Sequence, residues 1–99
     1  MILELAILNI RPGSNREYEQ AFAQAAPLIA ASPGHISHEL KRCLEAESRY
    51  VLLVRWESLE AHTVGFRESD RFPQWRALVG PFFDGDPRVE HVDDVLRSS

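Results

Sequence analysis

Two histidines and one asparagine have the residue types and spacing that acid–base chemistry needs. His62 shares a predicted helical stripe with Leu59 and Phe66, so its imidazole faces a core and needs a hydrogen-bond partner or a function. His91 lies within a predicted strand and could pair with His62 if that strand runs beneath the helix. Asn9 is the lone polar side chain late in the first strand. If the three act together, His62 is the base, and His91 and Asn9 orient a substrate; if not, all three are ordinary structural polar residues.

Aromatic residues are concentrated around the same predicted helical region and could line a cavity for a flat ring. They are Trp56, Phe66, Phe72, Trp75, Phe82 and Phe83. For any single one of them, packing in the core is the simpler explanation. Arg55, Arg67 and Arg76 could anchor an anionic substrate, although scattered arginines are more often solvated or ion-paired.

The sequence predicts no metal site and no nucleotide or flavin site. It contains four histidines and one cysteine, Cys43, and it lacks the GxGxxG, Walker, CxxC and HExxH patterns. His35 and His38 are three residues apart on a predicted strand, so we expect them to point to opposite faces of the sheet. The prediction is therefore a protein without a cofactor.

These residues must be positioned by four strands and two helical regions. The strand segments have apolar runs or period-two alternation, and they span residues 2–10, 35–44, 50–56 and 88–96. Ser14 and Glu17 form a capping-box pattern at the start of a helix that runs to about Ala31 and contains Pro27. Ser58 can cap the second helical region, in which Leu59, His62 and Phe66 are followed by Phe72, Trp75 and Val79.

The order strand, helix, strand, strand, helix, strand predicts an α+β fold of the ferredoxin-like βαββαβ type, with an antiparallel sheet and both helices on one face. The first strand is apolar on both sides, with Leu3, Leu5 and Ile7 on one and Ala6 and Leu8 on the other. A sheet with helices on one face would leave one of these rows exposed. An exposed apolar row of this kind usually marks an interface, so we predict a homodimer.

Composition limits the classes of function. The 99 residues are 44% hydrophobic and 26% charged, which is typical of one globular domain, here taken as residues 1–99. A net charge of -4 without a basic run argues against nucleic acid as a partner. The apolar opening is too short to cross a bilayer and lacks the features of a secretory signal, so we expect no membrane association and a cytoplasmic location.

The motifs from Tyr50 to Phe72 resemble those of the antibiotic biosynthesis monooxygenase family. The run YVLLVRWESLEAH followed by GFRESDRF is similar to the family's strand, Trp-Glu-Ser, Glu-Ala and Ser-x-x-Phe pattern. The turn at residues 11–13 and the Pro33-Gly34 pair also match, so the resemblance covers nearly the whole chain. It implies that the ferredoxin-like chains pair into a dimeric α+β barrel.

The resemblance implies a cofactor-independent monooxygenase that deprotonates a small aromatic or quinol-type molecule in a dry pocket between helices and sheet. Isomerase or lyase chemistry would use the same base. The alternative is a non-catalytic dimeric module, such as a stress-related protein, that binds a small hydrophobic molecule. Haem-degrading relatives carry a tryptophan and a histidine at positions that fall on Phe66 and near Arg76 here, so the resemblance disfavours haem degradation.

Overall fold

The computed structural model describes residues 1–98 of the chain. Its four strands are β1 (Ile2–Asn9), β2 (His35–Arg42), β3 (Arg49–Trp56) and β4 (Arg88–Val92). Helix α1 (Asn15–Ala30) follows β1, and helix α2 (Arg71–Val79) precedes β4. A short π-helical segment (Ala61–Phe66) lies between β3 and α2, and a 3-10 turn (Gly80–Phe82) follows α2.

The strands form one antiparallel sheet in the order β2-β3-β1-β4. The two central strands, β1 and β3, belong to opposite halves of the chain, and the two helices pack against each other on one side of the sheet. This arrangement confirms the predicted α+β ferredoxin-like fold. Within residues 1–98, no helix combines the length and apolar composition that a bilayer crossing requires.

The two faces of the sheet differ because side chains alternate along each strand. The face beneath the helices carries the core, in which Leu8, Leu52, Val54 and Trp56 are almost completely buried. The opposite, open face carries a central apolar block formed by Leu3, Leu5, Ile7, Val51 and Leu53, all only partly buried. Charged residues lie at its edges: Glu39, Lys41, Arg55, Arg88 and Glu90.

Several local predictions need correction. Ser14 precedes α1 but makes no side-chain capping hydrogen bond; its carbonyl accepts the Tyr18 N–H at 2.9 Å. Ser58 does cap, since its Oγ accepts the Ala61 N–H at 3.2 Å. Strands β2 and β4 end earlier than predicted, at Arg42 and Val92. The predicted extensions, residues 43–44 and 93–96, lie beyond the ends of the strands, although the Cys43 N–H still donates to the carbonyl of Arg49 at 2.8 Å.

The prediction that His35 and His38 point to opposite faces is wrong. The register between β2 and β3 shifts between His35 and Ser37, which inserts one extra residue into β2. Both imidazoles consequently lie on the same side, with His35 Nε2 and His38 Nδ1 3.0 Å apart. Among residues 1–98, no group of three or more histidine, cysteine or acidic side chains could hold a metal ion.

Candidate active site

A cavity of about 180 Å³ lies between the helical layer and the buried face of the sheet. Strands β1, β3 and β4 form its floor, and the π-helical segment and α2 form much of its wall. Its lining residues are Glu4, Ala6, Leu8, Ile29, Leu52, Trp56, His62, Phe66, Arg67, Phe72, Trp75, Arg76, Asp86, Pro87 and Val89. Most of this wall is apolar, so the few polar groups must set the orientation of a ligand.

Four of the six predicted pocket aromatics line the cavity: Trp56, Phe66, Phe72 and Trp75. Phe72 and Trp75 stack with ring centroids 6.1 Å apart, and Phe66 meets both of them edge-on. The Trp75 indole N–H is buried and has no hydrogen-bond partner among the described residues. These side chains form a wall suited to a flat ring.

The prediction that Phe82 and Phe83 line the cavity is wrong. Both rings contact Tyr18, with centroids 6.2 and 6.4 Å away, and Phe83 pairs with Ile10 through a backbone bridge. Phe82 ends the 3-10 turn that follows α2, and Phe83 comes directly after it, beyond the part of α2 that lines the cavity. The two phenylalanines therefore close the core beside α1.

His62 is buried in the cavity wall, where it is only 3% exposed. The π-helical segment places its ring flat against the Trp56 indole, with centroids 5.4 Å apart and planes 19° apart. Its Nδ1 lies 2.8 Å from Nε2 of His91, so one of these two nitrogens donates and the other accepts. The structure therefore brings the two predicted histidines together, His62 from above the sheet and His91 from β4.

Glu4 is a site residue that sequence reasoning missed. It lies directly opposite His91 in the β1–β4 register, faces the helices and is 6% exposed. The Trp56 indole donates to its Oε1 at 3.0 Å, and His62 Nε2 lies 3.3 Å from the same oxygen. The sequence does contain a signal for Glu4. It occupies an even-numbered position of the first strand, as Ala6 and Leu8 do, and the other even-numbered positions of that strand are apolar.

Burial and the guanidinium of Arg67 shift the pKa values of Glu4, His62 and His91. Burial raises the pKa of Glu4 above its ordinary value, against the opposing effects of the Trp56 hydrogen bond and Arg67. Burial, assisted by Arg67 and His91, lowers the pKa of His62 to about 4. Burial and Arg67 also lower the pKa of His91. Both imidazoles are therefore neutral at pH 7.

The prediction that Asn9 orients a substrate in this cavity is contradicted by its position. Asn9 is exposed and belongs to the same odd-numbered row as Leu5 and Ile7 on the open face. Its Oδ1 accepts a hydrogen bond of 3.1 Å from Nε of Arg49. A strand position of odd parity cannot reach the helix face, so Asn9 is remote from His62.

Two of the three candidate arginines lie at the site. Arg67 and Arg76 line the cavity, together with the acidic Asp86, and the Arg76 guanidinium also lies 5.6 Å from the centre of the Phe83 ring. Arg55 is on the open face and lies 3.6 Å from a carboxylate oxygen of Glu39. The ionisable groups of the cavity besides His62 are therefore Glu4, Asp86 and two guanidinium groups.

Comparison with known proteins identifies the family. The model of the antibiotic biosynthesis monooxygenase family matches residues 1–78. Protein YczJ of Bacillus subtilis, which is uncharacterised, is 47% identical over 95 residues, covering 96% of this chain and all of that protein. A protein from Bordetella bronchiseptica, whose crystal structure was solved as that of a candidate antibiotic biosynthesis monooxygenase, has a TM-score of 0.92 and 41% identity, covering 96% of this chain and 97% of that one. The chain belongs to the antibiotic biosynthesis monooxygenase family.

A relative of stated activity is more distant. The mycobilin-producing heme oxygenase of Mycobacterium tuberculosis is 32% identical over 60 residues. The match covers 61% of this chain and 57% of that protein. This similarity is confined to part of each chain, and it accords with the family assignment.

Proposed function

We propose that this chain is a cofactor-independent monooxygenase that oxidises a small aromatic phenol or quinol with molecular oxygen. The observation that carries the proposal is the cavity wall, in which aromatic side chains lie together with Glu4 and His62, whose polar atoms are 3.3 Å apart. Aromatic walls favour a flat ring. A carboxylate and an imidazole favour a ring that bears an ionisable hydroxyl, since they can take its proton.

The reaction balances without an added reductant when the substrate supplies all the electrons. Oxidation of 1-naphthol is an example: 1-naphthol and O₂ give 1,4-naphthoquinone and water. One oxygen atom enters the ring and the other leaves as water. The protein removes the hydroxyl proton, because the phenolate is the better reductant, and holds the ring in a site shielded from solvent. At about 180 Å³ the cavity is smaller than most ligand pockets, which favours one or two rings.

The rival function is a non-catalytic module that binds a small hydrophobic molecule in the same cavity. It would need the aromatic wall but not the acid–base pair. The presence of Glu4 in a buried row favours the enzyme, because a buried carboxylate destabilises the fold and a neutral acceptor would serve the Trp56 N–H equally well.

Haem degradation is supported less well by the residues present. Iron needs a ligand with a free lone pair, and His62 is the one histidine among the cavity-lining residues described here. Its Nδ1 contacts His91 and its Nε2 contacts Glu4, so neither nitrogen is free. Arg76, near the position where the resemblance places the histidine of haem-degrading relatives, cannot serve as a substitute, since a guanidinium has no acceptor.

Both tryptophans of the chain line the cavity, so their fluorescence reports ligand entry directly. We expect 1-naphthol to quench this fluorescence, to consume oxygen in the presence of the protein and to yield a quinone that carries one atom from ¹⁸O₂. Anthrone, with three rings, tests the size limit, and haemin tests the iron alternative. Quenching without oxygen uptake by any phenol would favour the binding module. Turnover of haemin with a reductant would overturn the proposal.

We also propose that two chains pair through their open sheet faces. The central apolar block is flanked on both sides by charges, including Glu39 with Arg55 and Arg88 with Glu90, which lie 3.6 and 3.3 Å apart. An apolar centre with a polar rim is typical of a subunit interface. The dimer would cover the side chains of β1 and β3 that the helices leave bare.

A further inference from the structure

Glu4, His62 and His91 form a continuous line of polar atoms through the wall of the protein. Oε1 of Glu4 is 3.3 Å from Nε2 of His62, and Nδ1 of His62 is 2.8 Å from Nε2 of His91. The first pair is a close polar contact without the alignment of a hydrogen bond, and contacts of this kind at enzyme sites often tighten when substrate binds. His62 directs Nε2 towards Glu4 and Nδ1 towards His91. His91 directs Nε2 towards His62, which leaves its Nδ1 for contact with solvent.

The line connects two separate hollows. Glu4 and His62 line the cavity described above. His91 lines a shallow surface hollow on the other side, formed with Ile2, Leu59, Val92 and Asp93. The two hollows have no lining residue in common. The cavity also opens to solvent beside the exposed residues Arg67, Arg76 and Asp86, so the two imidazoles form a second polar route between Glu4 and solvent.

The chemistry of the groups fixes the direction of every proton along the line. An ionised carboxylate only accepts, so when Glu4 is charged His62 must carry its proton on Nε2, and its bare Nδ1 must accept from Nε2–H of His91. When Glu4 carries a proton towards His62, both rings must hold their protons on Nδ1 instead. The two tautomers are thus coupled to the state of Glu4.

We propose that Glu4 exchanges the proton with the molecule in the cavity, and that His62 and His91 carry protons between Glu4 and solvent. In the inward step a solvent proton binds Nδ1 of His91, Nε2–H of His91 passes its proton to Nδ1 of His62, and Nε2–H of His62 passes its proton to Glu4. The outward step is the reverse, and no electron moves. This inference rests on the proposed function and assigns His62 to conduction, with Glu4 as the base.

The electrostatic surroundings suit a line of neutral groups. Burial favours the neutral form of both inner groups, because it raises the pKa of Glu4 and lowers the pKa of His62 to about 4. The other charged groups near the line are Arg67, which disfavours cationic imidazoles, and Asp93 in the surface hollow. The Trp56 N–H donates to Oε1 of Glu4, an oxygen that can accept whether or not the carboxyl group is protonated.

The first experiment needs no substrate. Long-range proton–nitrogen correlation spectra of the imidazole rings, recorded as the pH falls, should show His62 and His91 changing from the Nε2–H to the Nδ1–H tautomer in the same interval, with His62 remaining neutral. Glu4→Gln should abolish the joint change. His35 and His38, a second pair at 3.0 Å, provide the control and should not respond to Glu4→Gln. Independent titration of the two rings, or a tautomer change that survives in Glu4→Gln, would overturn the relay.

The second experiment uses whichever phenol the enzyme oxidises. We expect His91→Gln to lower kcat about tenfold without changing KM, a smaller effect than the roughly 10²-fold loss for Glu4→Gln. Free imidazole in the buffer should restore the His91→Gln rate, while His38→Gln should match the wild type. An unchanged kcat in His91→Gln would overturn the relay and leave the monooxygenase proposal standing. If no phenol is oxidised, the tautomer experiment still decides the relay.

Discussion

Tyr18 and Tyr50 pack ring to ring, with centroids 4.9 Å apart, but only Tyr50 has partners for its hydroxyl group among the described residues. Tyr50 donates to a carboxylate oxygen of Glu19 and accepts from Asn15 Nδ2 at 3.0 Å. The Tyr18 hydroxyl is buried without a partner. A buried hydroxyl that lacks a hydrogen bond loses its contact with water without compensation.

Tyr18→Phe should therefore leave the free energy of unfolding unchanged or raise it by up to about 1 kcal/mol, because it removes an unsatisfied group. Tyr50→Phe is the matched control. It deletes the same atom from the neighbouring ring but breaks two hydrogen bonds, so it should lower the free energy of unfolding by about 1 kcal/mol. Urea unfolding of both variants measures the difference, and equal destabilisation would contradict the contacts described for Tyr18.

Gly34→Ala should destabilise the protein strongly. Gly34 has φ +89°, and an added Cβ would lie 2.6 Å from Cβ of Ala61, at the start of the π-helical segment. Gly13 has nearly the same backbone, with φ +84°, but nothing lies within 4 Å of a Cβ there. Gly13→Ala should cost about 1 kcal/mol for the backbone alone, and Gly34→Ala about 3 kcal/mol or more. Similar melting temperatures for the two variants would show that Ala61 moves away freely.

The stability of the protein should depend on His62 between pH 4 and pH 6.5. The folded protein holds His62 with a pKa of about 4, below its ordinary value of 6.5, so in this interval the unfolded chain binds more protons. Stability contributed by His62 is therefore present above pH 6.5 and is lost as the pH falls towards 4. Because Gln does not titrate, the stability difference between wild type and His62→Gln should shift in favour of the wild type as the pH rises. Chemical unfolding at several pH values measures this, and a difference independent of pH would contradict the buried neutral imidazole.

Leu53→Lys should convert the proposed dimer into a monomer. Leu53 lies on the open face opposite Leu5, in the centre of the apolar block, where a charge would have to be buried in the interface. Leu44→Lys is the control, because Leu44 is 94% exposed and lies beyond the end of β2. Light scattering should give the mass of one chain for Leu53→Lys and of two chains for both the wild type and Leu44→Lys. A wild-type mass of one chain would remove the proposal of pairing through this face.

The fold could be predicted from the sequence because its signals are local and repeated. Alternating apolar residues in β1 and β3, and the spacing of Tyr18, Phe22, Ala25 and Ile29 in α1, each specify one element and its buried face. The order of these elements then leaves few topologies. Single-residue irregularities carry no such repetition. The extra residue in β2, which reverses the expected orientation of His38 relative to His35, is one of them.

The site was only partly predictable for a related reason. His62 and His91 stood out because imidazoles are rare among apolar neighbours, whereas Glu4 resembled an ordinary polar interruption of an apolar strand. Asn9 had a suitable residue type but occupies an odd-numbered position, which places its side chain on the open face. Which of the two faces is the buried one is known only once one face of the strand is assigned to the core. The helical stripe also misplaced Leu59, which is 42% exposed, since the spacing of an α-helix does not apply to the π-helical segment that follows it.

The π-helical segment (Ala61–Phe66) makes the geometry of the site depend on the number of residues in this turn as well as on their identities. The Arg67 N–H donates to the carbonyl of His62 at 3.0 Å, five residues back, so the turn holds one residue more than an α-helical turn would. Deleting any one residue between His62 and Arg67 would let the turn tighten and would rotate the imidazole away from Glu4, even though no side chain of the acid–base group had been replaced. The loss of one residue from this turn could thus leave the fold in place while it removes the contact between His62 and Glu4.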